Sequence, residues 1–148
     1  MLKKINYDEI LIYKQTILKL LEQNCLINMK VDNVNEYVKS KMKDLLLFSQ
    51  NDSALFYGAF HDVELIGILW AYKLTDSVFH LSHLVIDEKF RNQGVGRELL
   101  KMLEANLPSG NIIELWTTAS NISAIKFYKR MGFEVARLKM EKKVDDKD

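Results

Sequence analysis

The chain holds one cysteine, one proline and almost no net charge, and each scarcity removes a class of answers. Cys25 has no partner for an internal disulfide and cannot build a thiolate metal cluster. Between Asn24 and Leu26 it reads as an ordinary half-buried thiol. A formal net charge of +1, from 21 Lys and Arg against 20 Asp and Glu, gives no global pull toward nucleic acid or a membrane surface. No apolar run approaches the ~20 residues of a membrane-spanning helix. The N-terminus lacks an uncharged apolar core followed by a small-residue cleavage site, so no signal peptide is expected and the expected location is cytoplasmic. There is no internal repeat and no linker. What is present is 148 residues, 48% of them hydrophobic, which reads as a single domain over 1–148 with enough length to bury a core.

Hydrophobic periodicity divides that length into alternating elements. Leu2 to Ile5 reads as a short first strand. Asp8 is placed to cap a helix running to about Gln23, with Ile10, Leu11, Ile17, Leu18 and Leu21 near helical spacing. Asn24 to Asp32 reads as a loop, and Asn33 as the cap of a second helix through Phe48. After the polar break Gln50–Ser53, three runs alternate as strands: Ala54 to Phe60, Leu65 to Tyr72 and Phe79 to Ile86. The turns between them, at His61–Glu64 and Lys73–Ser77, predict an antiparallel meander. A helix from Val95 to Leu107 ends at Pro108-Ser109-Gly110. Ile112 to Thr118 is a strand, and the length of the crossover into it predicts that it lies parallel to Phe79–Ile86 near the middle of the sheet. Ser120 or Asn121 caps a last helix to Met131, Gly132 stops it, and Phe133 to Met140 reads as a final strand. The fold class is α/β, a mixed sheet with helices on both faces.

The most informative stretch lies between the third strand of the meander and the next helix. It reads Arg91-Asn92-Gln93-Gly94-Val95-Gly96-Arg97. Two glycines at a strand-to-helix junction let the backbone turn sharply and approach a ligand. The first amides of the helix have no intrahelical partner and form an anion site. Arg91 and Arg97 flank the positive end of the helix dipole, which makes sense if an anion sits among them; a plain glycine turn with solvated arginines accounts for the same residues. Neither a Walker loop nor a dinucleotide fingerprint fits, since the third glycine position of the latter is Leu99.

The pattern Arg-x-x-Gly-x-Gly resembles the acyl-coenzyme A site of the GCN5-related N-acetyltransferase (GNAT) superfamily. A second segment agrees: Asn121-x-x-Ala124-x-x-Phe127-Tyr128-x-x-x-Gly132-Phe133 resembles another conserved stretch of the same enzymes, with one strand between the two, as in that family. The resemblance covers roughly the second half of the chain. It implies a strongly twisted mixed sheet whose two parallel strands splay apart, leaving a cleft for the acyl-CoA arm. Acetyl-CoA is the implied cosubstrate, with no metal. The pantetheine would add like a strand to the backbone of Leu84, Val85 and Ile86. The pyrophosphate would lie on the amides of Arg91, Asn92, Gln93, Gly94, Val95, Gly96 and Arg97, and Asn121 would contact the pantetheine or its phosphate end.

The implied reaction is attack of a neutral amine on the thioester. Negative charge on the carbonyl oxygen calls for a fixed donor, which the resemblance places at the Leu84 N–H. Tyr128 matches the frequent general acid of the family, and its spacing from Asn121 puts both near one helix face. A Glu or His on the strand before the glycine loop serves some relatives as general base. The matching residue is His80, whose unperturbed range near pH ~6.5 suits it to accept a proton. Simple alternation puts His80, Ser82 and Leu84 on one face and turns His83 the other way. Family members acting on ribosomal protein N-termini carry a Glu on the following strand, where this chain has Trp116. That departure implies a flatter, more apolar acceptor pocket, with Glu114 on the same face as a substitute. Trp70, Tyr72 and Phe79 are further candidates for its walls. The residues after Phe133 are few and largely charged, so the pocket is expected to be open or completed by a second subunit, and a homodimer is the expectation. The acceptor is a small-molecule or protein amine. The alternative is a catalytically silent acyl-CoA-binding or regulatory domain.

Overall fold

The computed structural model describes residues 1–28, 32–50 and 53–147. Residues 29–31 of the predicted loop, and Asn51 and Asp52 of the polar break, lie outside them. The chain forms two compact units, Met1–Thr118 and Ala119–Asp148.

In the first unit, β1 (Leu2–Lys4) leads into α1 (Tyr7–Ile12), α2 (Lys14–Asn28) and α3 (Val34–Phe48). Asn6, not Asp8, caps α1. Its side chain accepts from the Glu9 N–H at 2.9 Å, while Glu9 reaches back to the Asn6 N–H at 3.3 Å, a reciprocal pair that satisfies two orphan donors. The helix breaks at Tyr13 and resumes. It then runs past the predicted stop at Gln23, because Cys25 continues the buried stripe of Ile17 and Leu21. Packing of that face overrides the turn preference of Asn24. Asn33 caps α3 as expected, accepting from the Glu36 N–H at 3.1 Å.

The meander follows as β2 (Ala54–His61), β3 (Glu64–Thr75) and β4 (Val78–Ile86). His61 pairs with Glu64 across a two-residue turn in which Asp62 takes φ 54°. Then come a single 3-10 turn (Glu88–Phe90), α4 (Val95–Ala105) and β5 (Ile112–Glu114). The sheet order is β1-β2-β3-β4-β5, antiparallel except for the parallel pair β4–β5. The crossover therefore runs as predicted, but β5 is three residues long rather than reaching Thr118, and it is an edge strand.

Two apolar layers sandwich this sheet. On one face α1–α3 bury Ile10, Ile17, Leu20, Met42 and Leu45 against Phe56, Ile68, Trp70 and Val85. On the other, α4 buries Leu99, Leu100 and Leu103; a Cβ on Gly67 would sit 3.5 Å from Val95 and 2.8 Å from Ile86. Glycine there lets the helix approach the strand.

In the second unit, α5 (Ile122–Arg130) is capped by Asn121, which accepts from the Ala124 N–H at 3.3 Å. Gly132 stops it at φ 95°. The predicted final strand from Phe133 to Met140 does not form: residues 133–147 hold no strand, and Leu138 and Met140 are 81% and 89% exposed. Alternation there splits the apolar residues between faces, Phe133 and Val135 on one and Ala136, Leu138 and Met140 on the other. Neither face then gathers enough burial to hold a ladder.

Removing side chain from the α4 layer should therefore cost far more than removing it from the tail. Leu103→Ala is expected to lower unfolding free energy by about 2–5 kcal/mol, and Leu138→Ala to stay within about 0.5 kcal/mol, read from urea midpoints. Equal losses would contradict these burial assignments.

Candidate functional site

The site begins with a fault in the register of β4. Trp70 lies opposite His83, but the next residue of β3, Ala71, lies opposite Leu81. Ser82 is the extra residue of a β-bulge. The bulge corrects the alternation expected from sequence. Trp70 and Tyr72 share a face of β3, so their partners His83 and His80 share a face too. The rings agree: Trp70 stacks on His83 at 5.5 Å and 8°, and Tyr72 meets His80 at 5.2 Å. Both histidines thus look toward the α1–α3 layer.

Their surroundings differ. His83 is buried, with Ser82 Oγ 2.8 Å from Nδ1 and Tyr37 Oη 3.5 Å from Nε2. Burial, aided by Lys41 and His80, pushes its imidazole down to about 4, so it is neutral at neutral pH. His80 lies in register with Glu114 of β5, Nδ1 to Oε1 at 3.2 Å. Tyr72 in turn stacks on Phe48 at 5.8 Å and 11°. Trp70 belongs to the core and its indole N–H finds no partner among the described residues. Phe79 is half-buried. Trp116 lies beyond the end of β5, 68% exposed, so strand alternation does not tie it to Glu114.

The bulge also marks where β4 loses its second neighbour. Only Val78, Phe79 and His80 pair with β5. The Asp87 N–H donates to Ile66 O at 2.8 Å; stepping back along an antiparallel ladder, Val85 and His83 direct their backbone groups to β3, and Leu84 and Ile86 direct theirs to the open edge. Of the three predicted strand positions, Leu84 and Ile86 therefore offer backbone outward, while Val85 is buried in the core.

Past the strand, the Arg91 Nε–H donates to Ile86 O at 3.1 Å, folding the loop back onto the edge. The Glu88 N–H donates to Gln23 of α2 at 3.2 Å, anchoring the other side. Asn92 and Gly94 both take left-handed backbone, φ 62° and 82°; Asn and Gly are the residues that do so at least cost. Gly94 occupies the N-cap of α4 with no side chain to satisfy the first turn. The Glu98 N–H is the first to bond back, to Gly94 O at 3.0 Å, leaving the amides of Val95, Gly96 and Arg97 without helical partners. Asn92, Gln93, Gly94 and Arg97 are exposed. Glu98 also stands in this turn, an acidic residue that the reading of arginines alone had left out.

In the second unit, Asn121 is the cap of α5. The Tyr128 ring packs edge-on against Phe127 and Phe133 at 5.2 and 5.4 Å. Burial pushes its hydroxyl up to about 12. Among the described residues no helix is long and apolar enough to cross a membrane, and no three His, Cys, Asp or Glu side chains gather as a metal site.

Residues 21–133 match the model of the acetyltransferase (GNAT) family. An uncharacterized N-acetyltransferase of Methanocaldococcus jannaschii is 41% identical over 59 residues, covering 38% of this chain and 26% of that protein. The ribosomal protein bS18-alanine N-acetyltransferase of Salmonella typhimurium is 34% identical over 61 residues, 40% of this chain and 41% of that one. The matches thus span a quarter to two fifths of these relatives. The PaiA N-acetyltransferase of Thermoplasma acidophilum, solved in complex with coenzyme A, shares the fold with a TM-score of 0.78 at 20% identity, covering 94% of this chain and 92% of that one.

The low value at His83 has a measurable consequence. Its folded value lies below its unfolded one, so the unfolded chain takes up the proton first as pH falls. The stability it carries is complete above about 6.5 and is lost toward about 4. Between pH 7 and 4.5 the protein should lose about 2–3 kcal/mol more than a His83→Gln variant does, in paired urea titrations. Parallel losses would mean that His83 is not held neutral by burial.

Proposed function

Because the chain belongs to the GNAT acetyltransferase family, we propose that it carries an acetyl group from acetyl-CoA to the primary amine of a small molecule or protein. The family match, residues 21–133, takes in part of each unit, and we read 1–148 as one catalytic domain. The observation that carries the proposal is the open edge of β4 leading directly into the uncapped start of α4. An extended pantetheine arm has amide groups that suit Leu84 and Ile86 as a strand would. A pyrophosphate suits the free amides of Val95, Gly96 and Arg97 at the positive end of a helix. Arg91 keeps its terminal nitrogens for phosphate, Arg97 adds a second cation, and Asn92, Gln93 and Gly94 shape the loop. Asn121 is assigned to the pantetheine end.

When bound, acetyl-CoA supplies an acetyl carbon activated by its thioester. The residues of the chain supply the rest. The Leu84 N–H, fixed in the strand, donates to the carbonyl oxygen where negative charge gathers; such a donor is typically worth ~3 kcal/mol. His80 removes the proton that would keep the acceptor nitrogen from attacking. Tyr128, held in its protonated form by burial, is assigned by its place in the motif as the donor to the leaving sulfur. Beside His80, the stacked pair Tyr72 and Phe48 forms a flat apolar wall, which favours a primary amine on a flat, apolar carrier over the ribosomal alanine acceptor named for the Salmonella relative.

Calorimetric titration with acetyl-CoA, beside dephospho-CoA and ATP, tests the cofactor. Saturable micromolar binding is expected for acetyl-CoA, weakened by Gly94→Val, whose side chain forces the left-handed cap out of shape. No binding at millimolar acetyl-CoA would overturn the proposal. Binding without thiol release to any primary amine would instead mark a silent acyl-CoA-binding domain. Where turnover is found, Tyr128→Phe should lower kcat on the order of 100-fold, and an unchanged kcat would remove Tyr128 from the reaction.

A further inference from the structure

We infer that Glu114 is the positioning residue of His80: across the β4–β5 ladder it fixes which imidazole nitrogen carries the proton and stands as counter-charge when the ring becomes a cation. This rests on His80 acting as the base. The register pairs the two residues directly, and Nδ1 lies 3.2 Å from Oε1. An ionised carboxylate only accepts, so Nδ1 donates the hydrogen and Nε2 is left with its lone pair. The base is thereby Nε2, the nitrogen turned away from Glu114. The proton of the acceptor ammonium passes to Nε2, the electron pair stays on the amine nitrogen for attack, and the imidazolium later releases the proton to water.

The other groups facing His80 do not duplicate this role. From β3, Tyr72 offers a ring face at 5.2 Å. On β4 itself, His83 is neutral through burial, with Lys41 of α3 acting on it in the same direction. Among the described residues, Glu114 is the carboxylate that meets His80. The pair is graded in exposure, the His80 side chain at 13% and Glu114 at 44%. Water therefore still solvates the carboxylate, and the pair avoids the heavy desolvation cost of a fully buried ion pair.

The arrangement depends on the short pairing of β4 with β5. His80 is the last residue of β4 to pair and Glu114 the last of β5. The dyad thus sits at the point where the two strands stop bonding, at the inner end of the open edge.

The test uses the full chain and two readouts. Nitrogen-15 NMR of the histidine rings reads the tautomer without any acceptor. His80 should carry its proton on Nδ1 in the parent protein and shift toward Nε2–H in Glu114→Ala. Thiol release from acetyl-CoA, with 2-phenylethylamine as the acceptor probe, reads the reaction. Glu114→Ala and Glu114→Gln should lower kcat/KM for the amine on the order of 10- to 100-fold and leave KM for acetyl-CoA unchanged. An unchanged His80 tautomer in Glu114→Ala would overturn the pairing. A parent-like rate in both Glu114 variants, with His80→Asn slow, would overturn the role of Glu114 and leave His80 as base. A parent-like rate in His80→Asn would remove the base, and this inference with it.

Discussion

The backbone of β4 meets two opposite demands. Toward β3 it is paired from Val78 to Ile86 except at the bulged Ser82. Toward β5 it is paired only from Val78 to His80. A buried amide without a partner costs about 1–3 kcal/mol, so an open edge inside a sheet persists only where water or a ligand reaches it. Leu84 and Ile86 are half-buried rather than sealed, which meets that condition. Arg91 then takes the Ile86 carbonyl, so the end of the edge and the start of the loop are one bonded unit. The orientation of the free amides of α4 is thus set from β4, through a single arginine and two left-handed residues.

The bulge at Ser82 links this edge to the histidines. A bulge bends its strand and tightens the local twist, and here it falls just past the last β4–β5 pair. The same extra residue turns His80 onto the face of His83. One irregularity, just past the end of the parallel ladder, therefore brings the His80 ring beside Tyr72 at the start of the free edge. The wall of α3 and β3 residues behind it, from Phe48 through Tyr72 and Trp70, is continuous in ring contacts.

Where the sequence was legible, the signal was local. Asn33, Gly94 and Asn121 sit at helix starts because a side-chain acceptor or a left-handed backbone is needed at that one position. The glycine loop and its flanking arginines were readable for the same reason. The misreadings came where a partner decides. Cys25 joins α2 because its side chain completes a buried stripe. Phe133–Met140 fails as a strand because alternation alone provides no neighbour. The bulge left one small mark, the two successive polar residues Ser82-His83 that break the alternation, and simple alternation read straight through it. Glu114 could be listed as a candidate from sequence, but its pairing with His80 follows from the register of the crossover, which no spacing rule fixes. The cap of α1 was legible and missed: Asn6 and Glu9 have capping-box spacing, and Asp8 was the less complete signal.

Two histidines three positions apart on one strand end up in different surroundings. His83 is surrounded by Trp70, Tyr37 and Ser82 and is denied its charge by burial. His80 is set beside a solvated carboxylate. The order matters, because a charged His83 would repel a proton arriving at His80 across the same face. Keeping His83 neutral removes that repulsion and leaves Glu114 as the charge beside His80. The buried histidine is then more than core filling: its low proton affinity belongs to the same electrostatic arrangement as the base proposed next to it. That arrangement exists because one extra residue in β4 brought both rings to one side of the sheet.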